Sequence, residues 1–495
     1  MLAVWLLQPL VALLVLPYNS WALVDPQSVH DDLESLLSPG AEVALRSNST
    51  YAEDFTPRYN IATQPSYIVG VKPALVGDVQ KVVIYAVERN ISFLATGGGH
   101  GYSTSLGRFK GGIDMDLGKF NSIQVDSLAK TMTIGGAVRA NEVATALQAV
   151  GMEIPVPQCP CIGFAGATLG GGIGPYSGLY GAISDSLISV ELITAEGQVL
   201  NVSQTEYADL LYGIKGAGSN YGVVLSLKYR IYPATNDGYA MNADMTFLGS
   251  QNGSVWALIK QFSVSQPREL SIGISIRYSP DPTLEGVIIT ANFIYAGPQA
   301  EGKALIQPFI NLKPLNVNIS TVPWNYIPAT ANDGAIVEYG CSPGVYYVPY
   351  GVNLYQVDIP NLVSSVGYMD RAMATNPELR GASIVWQQYA HYGFQLYSQD
   401  TSAFPFRDVI AFVQVDGVGS SASQGLALTQ FGREMRDMLQ NGSGRDELSV
   451  FVHFGHGDED PAAWFSRDNL PRLMSLKNVY DPLGIFSWYN PVKRY

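Results

Sequence analysis

Apolar and polar positions along residues 60–235 change their period several times. Residues 69–71 and 91–95 are short apolar runs of the kind found in buried strands. Residues 79–87 carry apolar side chains at helical spacing, which predicts an amphipathic helix. By the same rules, strands are predicted at 112–117, 131–134 and 187–194, and a helix at 142–150. Strands and helices are mixed without a regular βαβ repeat, which predicts an α+β fold.

Residues 240–440 show longer runs in which apolar residues occupy alternate positions. Such runs predict strands at 270–277, 286–295 and 382–388, with helical patterns near 255–262 and 362–374. Alternation buries one face of a sheet and leaves the other face free. We therefore predict an antiparallel sheet with helices on one face, whose free face covers a pocket. The lead-in at 23–65 is predicted to be mostly helix and loop.

Composition and charge then limit the class of protein. With 47% hydrophobic and 14% charged residues, the 495-residue chain is predicted to be globular. Its net charge of −13 argues against nucleic acid and anionic membranes as partners. Residues 1–22 are largely apolar and end in small residues, which predicts a secretory signal peptide. That run is shorter than the roughly 20 residues of a membrane-spanning helix, so a soluble, secreted protein is expected.

Sequons for N-glycosylation agree with the secretory route. Six Asn-x-Ser/Thr sequences are present, a pattern that also arises by chance in a chain of this length. The acceptor side chains are Asn48, Asn90, Asn201, Asn252, Asn318 and Asn441.

Three glycine-rich stretches carry the candidate chemistry. They lie at residues 96–102, directly after the predicted strand at 91–95, and at 159–174 and 213–224. Successive backbone N–H groups in such loops form a concave site for an anion, above all a phosphate. None of the stretches has the strand–GxGxxG–helix context of a Rossmann unit, and a GxxxxGK[ST] loop is absent from the sequence.

Cysteine is sparse, with Cys159, Cys161 and Cys341 only. An odd count leaves at least one thiol outside any disulfide, and Cys159 and Cys161 lack a second nearby pair to complete a zinc site. No metal site is therefore expected. The sequence leaves two alternatives open: a Cys161–Cys341 disulfide, or three cysteines that act as small buried side chains.

The order and spacing of the three glycine-rich stretches resemble the FAD-linked oxidases of the berberine bridge enzyme-like family. This family belongs to the vanillyl-alcohol oxidase superfamily and has a PCMH-type FAD-binding domain. The matching sequences are TGGGHGY, CPCIGxxGxxLGGGxG and GxKGAGxNYGVV. The resemblance implies a two-part FAD-binding domain at 60–235 and a substrate-binding domain at 240–440. A C-terminal segment at 445–495 is implied to return to the FAD-binding domain.

The resemblance also implies how the cofactor is held. His100 is the implied covalent attachment site for FAD, with Cys159 as the candidate for a second bond and Cys161 as the spare. Asn490 occupies the place where relatives lay an amide side chain along the flavin. The cofactor-binding residues implied in this way are Gly97, Gly98, Gly99, His100, Gly101, Cys159, Gly163, Gly166, Thr168, Gly170, Gly171, Gly174, Gly222, Val224 and Asn490.

The implied activity is oxidation of an alcohol, or of a similar C–H group, in a small secondary metabolite. Hydride would pass to flavin N5, with O2 as the electron acceptor and H2O2 as its product. Alcohol oxidation also needs a base for the hydroxyl proton. Relatives often use Tyr or Glu, so Tyr489 is the first candidate and Tyr389 the second. A tyrosine pKa of about 10 requires a cationic or hydrogen-bonding neighbour for this role.

The sequence leaves other assignments open. His453 and His456 are alternative bases, although histidines beside glycines are as often structural. A flavoprotein cyclase or isomerase without net oxidation is an alternative function. A secreted carbohydrate-binding protein, in which glycine loops and aromatic sheets bind sugar, is a further alternative from another class.

Overall fold

The computed structural model describes residues 24–494, so the predicted signal peptide at 1–22 lies outside the described residues. The helices are α1 Pro26–Leu36, α2 Tyr51–Asp54, α3 Val76–Glu88, α4 Ala140–Gln148, α5 Phe164–Leu169, α6 Ser177–Tyr180, α7 Ala208–Ala217, α8 Asn252–Val264, α9 Gln299–Ile310, α10 Ile327–Thr330, α11 Ala335–Gly340, α12 Ile359–Thr375, α13 His391–Gln395, α14 Ala422–Asn441, α15 Pro461–Phe465 and α16 Leu470–Tyr480. The strands are β1 Glu42–Leu45, β2 Ser66–Lys72, β3 Phe93–Thr96, β4 Lys110–Asp116, β5 Ile123–Asp126, β6 Thr131–Gly135, β7 Met152–Glu153, β8 Leu187–Ile193, β9 Val199–Ser203, β10 Val223–Arg230, β11 Tyr232–Pro233, β12 Tyr239–Leu248, β13 Leu270–Tyr278, β14 Val287–Tyr295, β15 Asn316–Pro323, β16 Tyr346–Leu354, β17 Ala382–Tyr389 and β18 Ala411–Gly419.

The first sheet carries the His100 loop at the end of one strand. Its order is β1-β2-β4-β3, with β2, β4 and β3 parallel and β1 antiparallel to β2. Helix α3 buries Val79, Val82 and Val83 against this sheet, so the helical spacing at 79–87 is confirmed. β3 ends at Thr96, directly before the first glycine stretch. The lead-in also contains β1, which the sequence-based expectation of helix and loop missed.

A second sheet of five antiparallel strands completes the first half of the molecule. Its order is β5-β6-β10-β8-β9, and its inner side chains join one hydrophobic core with those of α4, α5 and α7. The strands predicted at 131–134 and 187–194 are β6 and β8. Strand β10 begins at Val223, so the third glycine stretch leads directly into the centre of this sheet.

The second half of the molecule is built on a sheet of seven antiparallel strands in the order β15-β12-β14-β13-β17-β18-β16. On β13, Ile272, Ile274 and Ile276 are buried in a core shared with α8, α9, α12 and α14. Gly273, Ser275 and Arg277 alternate with them and lie on the opposite, open face. The α+β class, with an antiparallel sheet covered by helices on one face, is confirmed.

The tail packs against the third glycine stretch in the first half. Lys477 on α16 forms a buried ion pair with Asp481, at 2.6 Å between Nζ and Oδ2. The same ammonium donates to the carbonyls of Asn220 and Phe486, at 2.9 Å each. Three acceptors therefore satisfy a charge that would be costly to bury alone.

A disulfide joins the two halves, because Cys161 of the second glycine stretch is bonded to Cys341 directly after α11. Cys159 is a free thiol.

Among residues 24–494, no helix has the length and apolar character needed to cross a membrane. Five of the six sequon asparagines are exposed, and the half-buried Asn252 donates to the Gly249 carbonyl at 2.6 Å.

Candidate active site

A cavity of about 1350 Å³ lies between the glycine stretches and the open face of the seven-stranded sheet. One wall consists of backbone from all three glycine stretches, and the opposite wall of side chains from β13, β17 and β18. Ordinary small-molecule sites have volumes of about 300–1000 Å³. This cavity is larger, so it has room for a large cofactor together with a second ligand.

The first glycine stretch offers unpaired backbone donors to this cavity. The N–H groups of Gly98, His100 and Gly101 donate no hydrogen bond to any other described residue. Gly99 has a φ of +69°, and a Cβ there would lie 2.4 Å from the Pro57 carbonyl oxygen. Only glycine fits this backbone path. The result is a short arc of donors suited to an anion.

The second glycine stretch packs against the first and leaves space for a ligand. A Cβ on Gly98 would lie 2.4 Å from the Gly163 backbone nitrogen, so the two loops touch through their main chains. A Cβ on Gly166, in contrast, would meet no described atom within 4 Å, and Gly166 lines the cavity. A side chain there would project into the cavity. The donor arc and this open stretch of backbone fit a dinucleotide cofactor bound along bare main chain.

Most of the glycine positions assigned from sequence lie on the cavity wall. These are Gly97, Gly98, Gly99, Gly101, Gly163, Gly166, Gly170 and Gly222, together with Val224. Three others lie behind the wall and need correction. The Thr168 hydroxyl donates to the Phe164 carbonyl, and a Cβ on Gly171 or Gly174 would collide with Phe404 or the Val156 carbonyl. Thr168, Gly171 and Gly174 are therefore packing positions.

His100 lies on the cavity wall, and the contact of its Nε2 indicates which tautomer it adopts. Its Nε2 is 2.9 Å from the Gly340 carbonyl oxygen, which can only accept, so Nε2 carries the proton. The imidazole stacks on Tyr59, with ring centroids 4.2 Å apart. Burial lowers the pKa of His100, so the ring is neutral near pH 7. Nδ1 therefore keeps its lone pair.

Cys159 is the free thiol beside this imidazole. Its Sγ lies 3.9 Å from His100 Nε2 and 3.5 Å from the Gly340 carbonyl oxygen. Burial raises the pKa of the Cys159 thiol, while the N–H groups of Cys161 and Ile162 act in the opposite direction. Since Cys341 follows Gly340 and is bonded to Cys161, the disulfide holds the carbonyl that both side chains share. The structure thus brings the two predicted attachment residues together.

Sequence analysis missed an acidic side chain on the opposite wall. Asp416 lies on the open face of β18 and accepts a hydrogen bond from the Tyr347 hydroxyl. Burial raises its pKa from 3.8 to about 6, although the Tyr347 hydrogen bond acts to lower it. Asp416 is therefore ionised at neutral pH but is a stronger base than an exposed aspartate. The sequence could have indicated Asp416, because it is an acidic residue at a position that alternates with the buried residues of a strand.

The two tyrosines proposed as bases are placed differently from each other. Tyr489 lines the cavity, but burial raises its pKa, with a further contribution from Glu459 and none from a cation. It therefore stays protonated and is able to donate a hydrogen bond but not to take up a proton as a base. Tyr389 is not on the cavity wall: it is buried, and its hydroxyl donates to Gln387 Oε1 at 2.8 Å. Neither placement fits a base, because deprotonation would create a buried, unpaired phenolate.

Tyr102 is a further hydroxyl on the cavity wall that sequence analysis did not single out. It accepts a hydrogen bond from Gln414 Nε2 at 2.9 Å, which leaves its own proton free to point into the cavity. Burial also raises the pKa of Tyr102, so it too remains a donor. Tyr102 directly follows the glycine stretch, while Gln414 is two residues before Asp416 on β18.

Asn490 does not lie on the cavity wall, contrary to the expectation for the C-terminal segment. Its Nδ2 donates to the Val452 carbonyl at 2.8 Å, and its Oδ1 accepts from the Ser103 hydroxyl at 2.5 Å. Both ends of the amide are therefore used to fasten the tail beneath the His100 loop. His453 does line the cavity, but its Nε2 donates to the Ala167 carbonyl, and burial lowers its pKa to about 4.

Comparisons with known proteins identify the family of this chain. Residues 68–203 match the model of a family described as an FAD binding domain. The chain is 36% identical over 447 residues to the FAD-linked oxidoreductase azaL of Aspergillus niger, covering 90% of this chain and 94% of that protein. It is 35% identical over 479 residues to the FAD-linked oxidoreductase tazG of Aspergillus terreus, covering 94% and 96%.

Solved structures show the same fold. Physcomitrella patens BBE-like 1 superposes with a TM-score of 0.80 at 21% identity, covering 94% of this chain and 99% of that chain. A chitooligosaccharide oxidase gives a TM-score of 0.80 at 17% identity, covering 95% and 99%. The relatives are oxidoreductases, which sets aside the carbohydrate-binding alternative. This chain belongs to the fungal FAD-linked oxidoreductases and is an enzyme with the berberine bridge enzyme-like fold.

Proposed function

We propose that the enzyme oxidises an alcohol, or a similar C–H group, of a small secondary metabolite, with O2 as the electron acceptor. The observation that carries this proposal is the placement of Asp416. It is a carboxylate with a pKa of about 6, on the open sheet face that lines the cavity together with the glycine backbone. An active-site base with a pKa just below neutral is ionised at working pH and still takes up a proton readily.

The residues that would hold FAD are the donor arc, His100 and Cys159. His100 is neutral with a lone pair on Nδ1, which makes that nitrogen the proposed atom of covalent attachment. Cys159 Sγ, on the same side of the cavity, is the proposed second attachment atom. Bound FAD would supply a two-electron acceptor at N5 and a route for those electrons to O2, which gives H2O2.

The chain's own residues handle the hydroxyl proton. The substrate hydroxyl donates to Asp416, and its proton moves to a carboxylate oxygen as the carbinol carbon loses hydride. Tyr347 donates to the same carboxylate and stabilises its charged form before the proton arrives. Tyr102 and Tyr489 are protonated hydroxyls on the cavity wall and can donate to the oxygen as it becomes a carbonyl.

An alcohol panel with a peroxide readout tests this function. Purified holoprotein is incubated with primary and secondary alcohols, and H2O2 is measured with a coupled peroxidase. We expect peroxide release by the parent and loss of at least about 100-fold in kcat for Asp416→Asn, in line with the usual contribution of a general base. Asp281→Asn, at the exposed rim of the same cavity, serves as the matched control and keeps its activity.

Two results would contradict the proposal. Conversion of an added compound without peroxide release and without net oxidation would assign the enzyme to the cyclase or isomerase class. Full activity of Asp416→Asn would remove Asp416 from the chemistry.

A further inference from the structure

A guanidinium without a protein partner lies on the same open sheet face as Asp416. Arg277 is half-buried on β13 and lines the cavity, and its guanidinium forms no hydrogen bond, ion pair or ring contact with any other described residue. It is followed at once by Tyr278, Ser279 and the exposed Pro280, so it lies near the rim of the cavity.

Other arginines on the cavity wall are occupied. Arg58 donates to the Tyr67 and Thr96 hydroxyls, each at 2.6 Å. Arg380 donates to the Met373 carbonyl at 3.2 Å, and its guanidinium lies 4.1 Å from the Tyr278 ring centroid. Of these three arginines, Arg277 alone has all five N–H donors available within the described chain.

The acidic side chains at the rim do not neutralise Arg277. Asp281, Glu285 and Glu338 line the same cavity, yet none of them pairs with Arg277 within 4.0 Å. The Asp281 carboxylate accepts from the N–H and the hydroxyl of Thr283, at 2.8 and 2.7 Å. A charge that is partly removed from water without a partner is unfavourable, and a bound anion would relieve that cost.

The strand register fixes the distance between Arg277 and the proposed base. Arg277 pairs with Ser383 on β17, and Ser383 pairs with Asp416 on β18, so the three lie in one row on the open face. Two strand spacings separate the outer pair, which places their Cα atoms about 10 Å apart. A compact ligand can therefore contact both side chains, with Ser383 beneath its middle.

We propose that Arg277 binds a carboxylate of the substrate, so that the enzyme acts on hydroxyl-bearing carboxylic acids. This inference rests on the proposed function, because it takes Asp416 to mark the reacting end. The planar guanidinium fork matches the two oxygens of a carboxylate, which makes arginine the preferred residue for this anion. In a chain with a net charge of −13, a local cation without a protein partner favours an acid over a neutral compound of the same shape.

Binding of two matched probes tests the proposal independently of turnover. The probes are 4-(hydroxymethyl)benzoate and 4-(hydroxymethyl)benzamide, which differ only in the charge at one end. Their dissociation constants for the purified full-length protein are measured by isothermal titration calorimetry. We expect the parent to bind the benzoate at least about ten-fold more tightly, as for a charge-assisted bidentate pair.

Three arginine variants then test which side chain causes the tighter binding of the benzoate. Arg277→Met should reduce the ratio of the two dissociation constants to about one, by removing the charge-assisted pair and leaving amide binding unchanged. Arg277→Lys should keep part of the preference, because it retains charge without the fork. Arg380→Met, the matched control at the same rim, should keep the full preference. Equal binding by the parent, or a preference that survives Arg277→Met, overturns the proposal.

The two proposals fail in different ways. A parent protein that prefers the benzoate but never releases peroxide from any alcohol would overturn the oxidase assignment and leave the Arg277 assignment standing. A parent that releases peroxide from alcohols but binds both probes equally would do the reverse.

Discussion

Asp416, the proposed base, is a buried carboxyl whose pKa links the proposed activity to the stability of the fold. Its pKa rises from 3.8 to about 6 on folding, so the folded state binds this proton more tightly than the unfolded state does. The contribution of the protonated Asp416 carboxyl to the free energy of unfolding is therefore fully present below about pH 4. It is lost as the pH rises through 6. At neutral pH the buried carboxylate destabilises the fold.

Replacement of this carboxylate should separate the two effects. Asp416→Asn is neutral at every pH, so we expect it to be about 1–3 kcal/mol more stable than the parent at pH 7.5 while losing activity. The gain should shrink toward pH 4, where the parent carboxyl is also protonated. Thermal unfolding midpoints at both pH values provide the measurement, and an equal gain at both would contradict the assignment.

The pH profile of the parent follows from the same group. The ionised form is the base, so kcat/KM should fall about ten-fold per pH unit below a pKa of about 6 and be level above it. Steady-state peroxide release from pH 4.5 to 8 measures this limb. A profile that is flat down to pH 5 would show that Asp416 does not control the rate.

The flavin colour of acid-precipitated protein tests whether His100 and Cys159 hold FAD covalently. If both residues hold FAD, acid-precipitated parent protein is yellow, and so are the single variants His100→Ala and Cys159→Ala, because each keeps one bond. The double variant should release its flavin into the supernatant. Absorbance near 450 nm of pellet and supernatant measures the partition; colour that leaves the parent pellet would contradict covalent attachment.

Glycine positions in the second stretch distinguish packing from cofactor binding at the level of the element. Gly166→Ala adds a methyl group that meets no described atom within 4 Å, so the protein should fold normally yet retain at least about ten-fold less flavin, because the methyl occupies ligand space. Gly98→Ala places a Cβ 2.4 Å from the Gly163 nitrogen and should impair folding itself.

Gly77 provides the matched control for these two substitutions. It lies in α3, and a Cβ there also meets nothing within 4 Å, but Gly77 is not on the cavity wall. Gly77→Ala should raise stability by about 0.5–1 kcal/mol and leave the flavin content unchanged. Flavin-to-protein absorbance ratios and unfolding midpoints of all three variants give the readout. Normal flavin content in Gly166→Ala would argue against the cradle.

Much of the fold could be predicted from local patterns, and the failures have physical causes. Strands such as β13 and β14 alternate cleanly, so their buried faces could be identified without a structure. β16 contains Pro349 and Gly351, which weaken any strand pattern, and is tolerated because it lies at the edge of its sheet. β1 has only four residues, too few for a period to emerge.

The residues of the candidate site were also predictable only in part from the sequence. His100, Cys159 and the glycines that carry the donor arc are close in sequence to the backbone they organise, so motifs could reveal them. Asp416 is one of 42 acidic residues and approaches the cavity only through the register of a sheet whose strands are far apart in sequence. Asn490 and Tyr389 lie off the cavity wall, because a position in the chain does not give the direction of a side chain.

At the scale of the whole molecule, the Cys161–Cys341 disulfide closes a long loop. The two cysteines are 180 residues apart, so the bond restricts a large part of the unfolded chain. Removing such a bond costs about 2–5 kcal/mol. Cys341→Ser should therefore lower the unfolding midpoint, with Cys161→Ser/Cys341→Ser as the control that leaves no new thiol. An unchanged midpoint in both variants would contradict a structural role.

The same bond also governs how a ligand can reach the cavity. It links the first half of the molecule, which carries the glycine stretches, to the second half beside His100. The two halves therefore cannot separate at that end of the cavity. A ligand therefore enters without separation of the two halves beside His100, and the exposed Pro280 and its neighbours mark a part of the cavity rim that faces solvent.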